Sequence, residues 1–186
     1  LKVKFVLIFL MIINLNTIYR PKIIFKRRLF QCQIGKNGII PNFKKKEGDE
    51  STPLGRWKIK SIFIRRDKIS GLKIHKLIRS KVIYIKKNYV WCDDINSPYY
   101  NKLVLLKTLK KLDFSHETMY RNDDVYDIVL EINQNQKPTI KNKGSAIFIH
   151  CSFKDLRSTL GCIAIKKNTL KFLINNLQKL NYIYIR

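Results

Sequence analysis

Cys162 and His150 are the residues of this chain best suited to covalent chemistry. A cysteine attacks as its thiolate, and with an ordinary pKa of about 8.5 it needs a neighbouring base at neutral pH. His150 closes an apolar run that begins at Gly144 (Gly-Ser-Ala-Ile-Phe-Ile-His), and Cys162 follows twelve positions later in Ser-Thr-Leu-Gly-Cys. A strand ending on the histidine, a loop of about eight residues and a return strand through Ile163-Ala-Ile165 set the two side by side. Gly161 permits a backbone angle closed to other residues and a close approach of substrate. The backbone N–H groups of Gly161 and Cys162 then offer donors to an oxyanion. A buried cysteine beside a hydrogen-bonded histidine is the other reading, and the pair by itself leaves both open.

The remaining chemistry-bearing residues point to less. Four cysteines (Cys32, Cys92, Cys151, Cys162) and three histidines (His75, His116, His150) contain no C-x-x-C pair. Structural zinc takes four ligands, usually in close pairs, so no metal is expected. Asp93-Asp94 and Asp123-Asp124 read as turn and cap formers rather than a metal site. Arg121 either grips a substrate carboxylate or pairs with Asp123, Asp124 or Asp127. Cys32 and Cys92 are candidates for a disulfide only in an exported domain. Trp57 and Trp91 read as core or groove wall.

The elements that must position these residues are mostly strands. Lys22–Phe25, Leu29–Ile34, Lys58–Arg65, Lys81–Tyr84, Val125–Ile132, Ala146–His150 and Tyr182–Ile185 are rich in β-branched and aromatic residues. Lys44–Thr52 is a polar loop around Gly48-Asp49. Leu170, Leu173, Ile174, Leu177 and Leu180 recur at helical spacing, which predicts a helix from Asn168 to Leu180 with Asn168 as cap. A second helical turn is expected near Lys107–Leu112. Many strands and few helices predict a mainly β domain with a few peripheral helices.

At 186 residues, 45% of them hydrophobic, the chain is one domain with enough apolar material for a core. Lys and Arg number 38 against 13 Asp and Glu, a net charge of +25. That excess invites an anionic partner, yet AT-rich codons, with their surplus of Ile, Lys and Asn, give the same composition. A basic nucleic-acid binding module is therefore one alternative, but no zinc-finger, helix-turn-helix or aromatic RNA-binding motif accompanies the charge. No nucleic acid is expected. Residues 1–17 carry Lys2 and Lys4 before the apolar run Phe5 to Ile13, which suits an export signal, a membrane anchor or an extra strand.

Gly144 to His150 followed by Ser158 to Cys162 resembles the active-site signature of L,D-transpeptidase catalytic domains, the YkuD-like family. Thr52-Pro-Leu-Gly55 with Trp57 two positions on fits a second hallmark of that family. Further similarity runs through Lys46-Glu-Gly-Asp49, Trp91-Cys-Asp-Asp94, Tyr100-Asn101 and Arg121 to Asp127. The match covers roughly residues 20–186, in consistent order, and that segment is the expected catalytic domain.

The resemblance implies a β-sandwich and a cysteine acyl transferase that acts on peptidoglycan tetrapeptide stems without a cofactor. Cys162 would be the nucleophile and His150 the base and then the acid, with Thr159 at the motif's Ser/Thr position and Gly161 before the nucleophile as oxyanion or orienting residues. The main-chain carbonyl of Cys151 would orient the histidine, and Arg121 is a weaker candidate for a stem contact. A second stem's amine or water would be the acceptor, the latter making a carboxypeptidase or amidase. The periplasm or cell envelope of a bacterium is the implied location. Two positions depart from the family pattern. Leu160 stands where many members have histidine, and Ala164 where many have Asn or Arg. These leave proton transfer to His150 and put the acceptor contacts in doubt.

Overall fold

Short runs of Ile, Val, Phe and Tyr between turn residues become strands because branched and aromatic side chains pack well on a pleated surface. The computed structural model describes residues 11–14, 21–106, 113–178 and 182–186, the first segment by its backbone alone. In chain order these residues form β1 (Met11–Asn14), β2 (Lys22–Phe25), β3 (Arg28–Gln33), β4 (Ile39–Ile40) and β5 (Thr52–Pro53). There follow β6 (Gly55–Ile64), β7 (Val82–Tyr84), β8 (Tyr89–Cys92), β9 (Lys102–Leu105), β10 (His116–Thr118) and β11 (Ile128–Ile132). The chain ends with β12 (Phe148–Cys151), β13 (Ile163–Ile165), helix α1 (Lys167–Asn176) and β14 (Tyr182–Ile185). The architecture is mainly β, with several sheets and few helices, as in a β-sandwich.

Nine strands lie in the order β11-β12-β13-β3-β2-β1-β14-β6-β7, and β6 also pairs with β11. That second pairing closes eight of them into a ring and leaves β7 as a flank. The long strand β6 makes the closure: Gly55 to Lys58 pair with β14, and Ile59 to Ile64 pair with β11. A register shift at Glu131/Ile132 lets the ladder bend there.

Strands β11 and β12 are buried along their whole length. Their inner residues (Ile128, Leu130, Ile132, Ile149 and Cys151) join Ile163, Ile165 and α1 in the main core. Their outer residues Val129 and Phe148 pack with Phe63, Trp91, Met119 and Tyr126 in a second cluster. Strand β8, which carries Trp91, lies between β10 and β9 in a separate three-stranded sheet. The sheet that carries His150 is thus apolar on both faces, which is why its strands read as unbroken apolar runs.

Two expectations need correction. Strands β12 and β13 are parallel, with Ile149 opposite Ile163 and His150 opposite Ala164, so β13 is not a return strand. A parallel pair needs a crossover instead of a hairpin. Residues 152–162 supply it, pairing Thr159 with Gly35 on the way. Helix α1 begins at Lys167, with Lys166 at the cap and no side-chain cap bond, so Asn168 lies within the first turn. It ends at Asn176, where the Asn176 side chain donates to the Phe172 carbonyl (2.9 Å). Leu170, Leu173, Ile174 and Leu177 are buried against the strands. Leu180 and the helical turn expected at Lys107–Leu112 lie outside the described residues. So does most of the 1–17 segment, of which the backbone of β1 pairs with β2 and β14.

Candidate active site

Side chains alternate along a strand, so the register of β12 on β13 decides which groups share a face. Ile149 and Cys151 point into the main core. Phe148 and His150 point the other way, and Cys162, just before β13, packs against the same outer cluster as Phe148. His150 and Cys162 therefore face one side of the sheet, and both line one cavity of about 490 Å3 with Lys36, Glu117, Arg121 and Leu160.

The ring of His150 is buried between Tyr126 and Phe153, at centroid distances of 5.5 and 6.2 Å. Its Nδ1 lies 2.8 Å from the Cys151 carbonyl oxygen. A carbonyl only accepts, so Nδ1 carries the proton and Nε2 keeps its lone pair, which is the tautomer of a base. Burial holds the His150 pKa down at about 4, against a smaller upward pull from that carbonyl. The imidazole is neutral near pH 7.

Cys162 is half-buried. Its sulfur accepts from the Phe148 N–H (3.3 Å), and its thiol donates to the Ala146 carbonyl (3.0 Å). Burial, and then the negative field of Glu117, push its pKa up to about 12, while the Phe148 N–H and Lys45 pull the other way. The resting pair is thiol and neutral imidazole, not an ion pair. No hydrogen bond joins the two side chains among the described residues, so the thiol must turn from Ala146 before His150 takes its proton.

Hydroxyls hold the turn before Cys162. The buried Thr159 donates from Oγ1 to the Cys162 carbonyl (2.6 Å) and accepts there from the Gly161 N–H (3.2 Å). That N–H is thereby turned onto Thr159. Thr159 is itself tied down by its N–H to the Ile34 carbonyl and by the Lys36 N–H to its own carbonyl, each 2.9 Å. Gly161 has φ +133°, and a Cβ there would lie 3.0 Å from the Ser51 carbonyl oxygen, so backbone angle and space both call for glycine. Thr52, fully buried, accepts from the Gly35 N–H (2.9 Å) and donates to the Gly161 carbonyl (2.8 Å).

The other shared motifs converge on the same place. Lys45, only 2% exposed, lies under Gly161 and forms an ion pair with Asp49, which also accepts from the Lys46 and Ser51 N–H groups. Tyr100 donates its hydroxyl to Glu47. The buried Asn101 accepts from Trp91 Nε1 and from the Ala146 N–H, both at 3.1 Å. Ala146 has φ +51°, a strained angle for a residue with a side chain, and Asn101 holds it there so that its carbonyl meets the thiol.

Arg121 lines the cavity, but its guanidinium is forked onto Asp123 (2.8 and 2.5 Å). Asp124 is shared by Lys68 and Lys167, Asp94 closes a turn on the Asn96 N–H, and no metal-binding cluster exists among the described residues. Leu160 is 75% exposed at the cavity rim, whereas Ala164 is fully buried opposite His150. The His75 ring accepts from the Leu77 N–H, and the His116 ring bonds to the Phe114 carbonyl. Cys32 and Cys92 are free thiols in different apolar clusters. Another cavity of about 500 Å3 lies between Pro21, Gln31 and Leu156 and contains neither Cys162 nor His150. Sequence reasoning passed over Lys45, Thr52 and Glu117 as individual site residues. Thr52 opens a motif it did quote, and Lys45 lies in the polar loop Lys44–Thr52, one position before Lys46-Glu-Gly-Asp49; Glu117, in an unremarkable His-Glu-Thr stretch, gave no signal.

A family model described as the L,D-transpeptidase catalytic domain matches residues 12–185. No curated protein and no solved structure matches the chain at a significant level.

Proposed function

Because the chain belongs to the L,D-transpeptidase catalytic domain family, a family acting on peptidoglycan, we propose that it is a cysteine acyl transferase for peptidoglycan stem peptides. The observation that carries this is the shared cavity of Cys162 and His150, with His150 Nδ1 on the Cys151 carbonyl and Nε2 left to accept a proton. The thiol turns from Ala146, gives its proton to His150 Nε2, and its sulfur attacks the carbonyl carbon of the stem bond. We assign the Cys162 N–H as donor to the oxyanion, since the Gly161 N–H serves Thr159. Collapse of the adduct breaks the C–N bond, and the leaving D-alanine amine takes the proton back from the imidazolium. The stem remains as a thioester on Cys162 until a second stem's amine, or water, releases it.

A neutral pair fits this order of events. With the thiol at about 12 and the imidazole at about 4, a preformed thiolate would be rare, so proton transfer accompanies attack. The substrate implies work at the cell envelope. The test is incubation of the purified protein with tetrapeptide muropeptides and mass spectrometry of the products. Cross-linked dimers with released D-alanine are expected, tripeptide alone would mean water is the acceptor, and unchanged stems would refute the reading.

A further inference from the structure

The cavity holds three cations, and each has a carboxylate of its own. Lys36 faces Glu50 (3.6 Å), Arg121 is forked onto Asp123, and Arg157 faces Asp155 (3.6 Å). Glu117 is the reverse case. It projects from β10 into the same cavity, it is half-buried, and it makes no ion pair among the described residues. The hydrogen bond to its carboxylate among them comes from the Tyr126 hydroxyl. A partly buried carboxylate with no ion pair of its own is costly, and in a chain of net charge +25 it is conspicuous.

Its field also works against the free enzyme. Glu117 helps to push the Cys162 thiol up, which hinders the nucleophile, and its own carboxyl is raised by burial, with Asp93 and Glu47 adding to the rise and Tyr126 and Arg121 opposing it. A positive group bound beside Glu117 would remove both penalties at once. It would also favour the sulfur as a leaving group when the thioester is broken. Leu160, 75% exposed at the cavity rim, is a hydrocarbon and offers Glu117 no charge.

We propose that Glu117 is the subsite for the ammonium group of the acceptor amine, a role that rests on the thioester chemistry proposed for Cys162. The incoming R–NH3+ pairs with the Glu117 carboxylate and gives it one proton, becoming R–NH2. The nitrogen attacks the thioester carbon, the C–N bond forms and the C–S bond breaks. The second amine proton passes through His150 Nε2 to the departing Cys162 sulfur. Glu117 then returns its proton to water, which closes the balance.

The test uses the full chain with an amine-blocked tetrapeptide stem as donor and a free-amine stem as acceptor at varied concentration. Acyl-enzyme, transfer product and hydrolysis product are followed by mass spectrometry. In Glu117→Gln the ratio of transfer to hydrolysis is expected to fall at least tenfold, the acceptor KM to rise, and Glu117→Asp to recover part of the ratio. An unchanged ratio in a folded Glu117→Gln overturns the proposal, as does a rise confined to the donor KM. Should Glu117→Gln not fold, the Asp variant decides: a higher acceptor KM supports the subsite and an unchanged one overturns it. Absence of any Cys162 acyl adduct in the wild type overturns the thioester reading along with this one. A normal adduct with an unchanged ratio overturns this one alone.

Discussion

Cys151 and Cys162 sit on adjacent parallel strands or their edge, and burial pushes both thiols up to about 12. By acidity they are the same residue. They differ in which face they occupy. Cys151 is 1% exposed, points into the main core and has its sulfur 3.9 Å from the Ile128 carbonyl. Cys162 opens on a cavity it shares with His150. Cys151 nonetheless meets the site through its main chain, since its carbonyl fixes the tautomer of His150. Ionisation constants alone do not select the nucleophile here; a base in reach and a path for substrate do.

The sharpest way to break that comparison is to remove each sulfur. Cys162→Ala should abolish acylation by a carbapenem and all turnover, with circular dichroism unchanged, because it deletes the nucleophile and little volume. Peptide mapping of the labelled wild type should find the adduct on Cys162. An adduct on Cys32, Cys92 or Cys151 with Cys162 untouched would assign the chemistry to the wrong face.

His150→Gln should slow acylation by about 10^2 to 10^4, the usual worth of a positioned base. The pH profile of the wild type sharpens the point. With a His150 pKa of about 4, the base stays unprotonated above it, so the acylation rate should be flat from about pH 5 to 8. An inflection near 6.5 would mean a solvated histidine. Stability has a matching sign: the unfolded histidine takes a proton near 6.5 and the folded one only near 4. Folding free energy should therefore decline by up to roughly 3 kcal/mol as pH falls through that window.

Gly161→Ala tests the turn between the two faces. At φ +133° with the Ser51 carbonyl 3.0 Å from the new Cβ, a loss of about 1–3 kcal/mol is expected, read by thermal melting. Acylation should slow as well, since the turn aims the thiol. Cys151→Ala is the smallest change. It leaves the orienting carbonyl in place and removes one buried sulfur, so about 1–2 kcal/mol of stability should go, with less effect on acylation than any other variant named here.

Local chemistry carried much of this into the sequence. Lys22–Phe25 and Tyr182–Ile185 are strands at their expected bounds, because their branched and aromatic residues suit no other local state. The leucine spacing from Leu170 to Leu177 marks α1, whose start lies earlier than expected because Lys166 rather than Asn168 stands at its cap. The pairing of β12 with β13 is parallel where the spacing predicts a return. Hydropathy reports burial and not direction, and a crossover of residues 152–162 has no periodicity to betray it. Strands β4, β5, β9 and β10 run only two to four residues, too short to show an alternation.

The sequence by itself determined the chemical inventory: a cysteine behind a glycine, a histidine at a strand end, and the small or hydroxylated residues their turns require. Those are demands of backbone angle and side-chain type, which act over a few residues and are visible there. Tertiary structure alone decided what surrounds them. Thr52 reaches the Gly161 carbonyl from 109 positions away, and Lys45 and Glu117 arrive from separate loops and sheets. The closing of β6 onto β11 and the parallel register of β12 on β13 bring them together. Such contacts form only once the whole ring is paired, so no local pattern of residues encodes them.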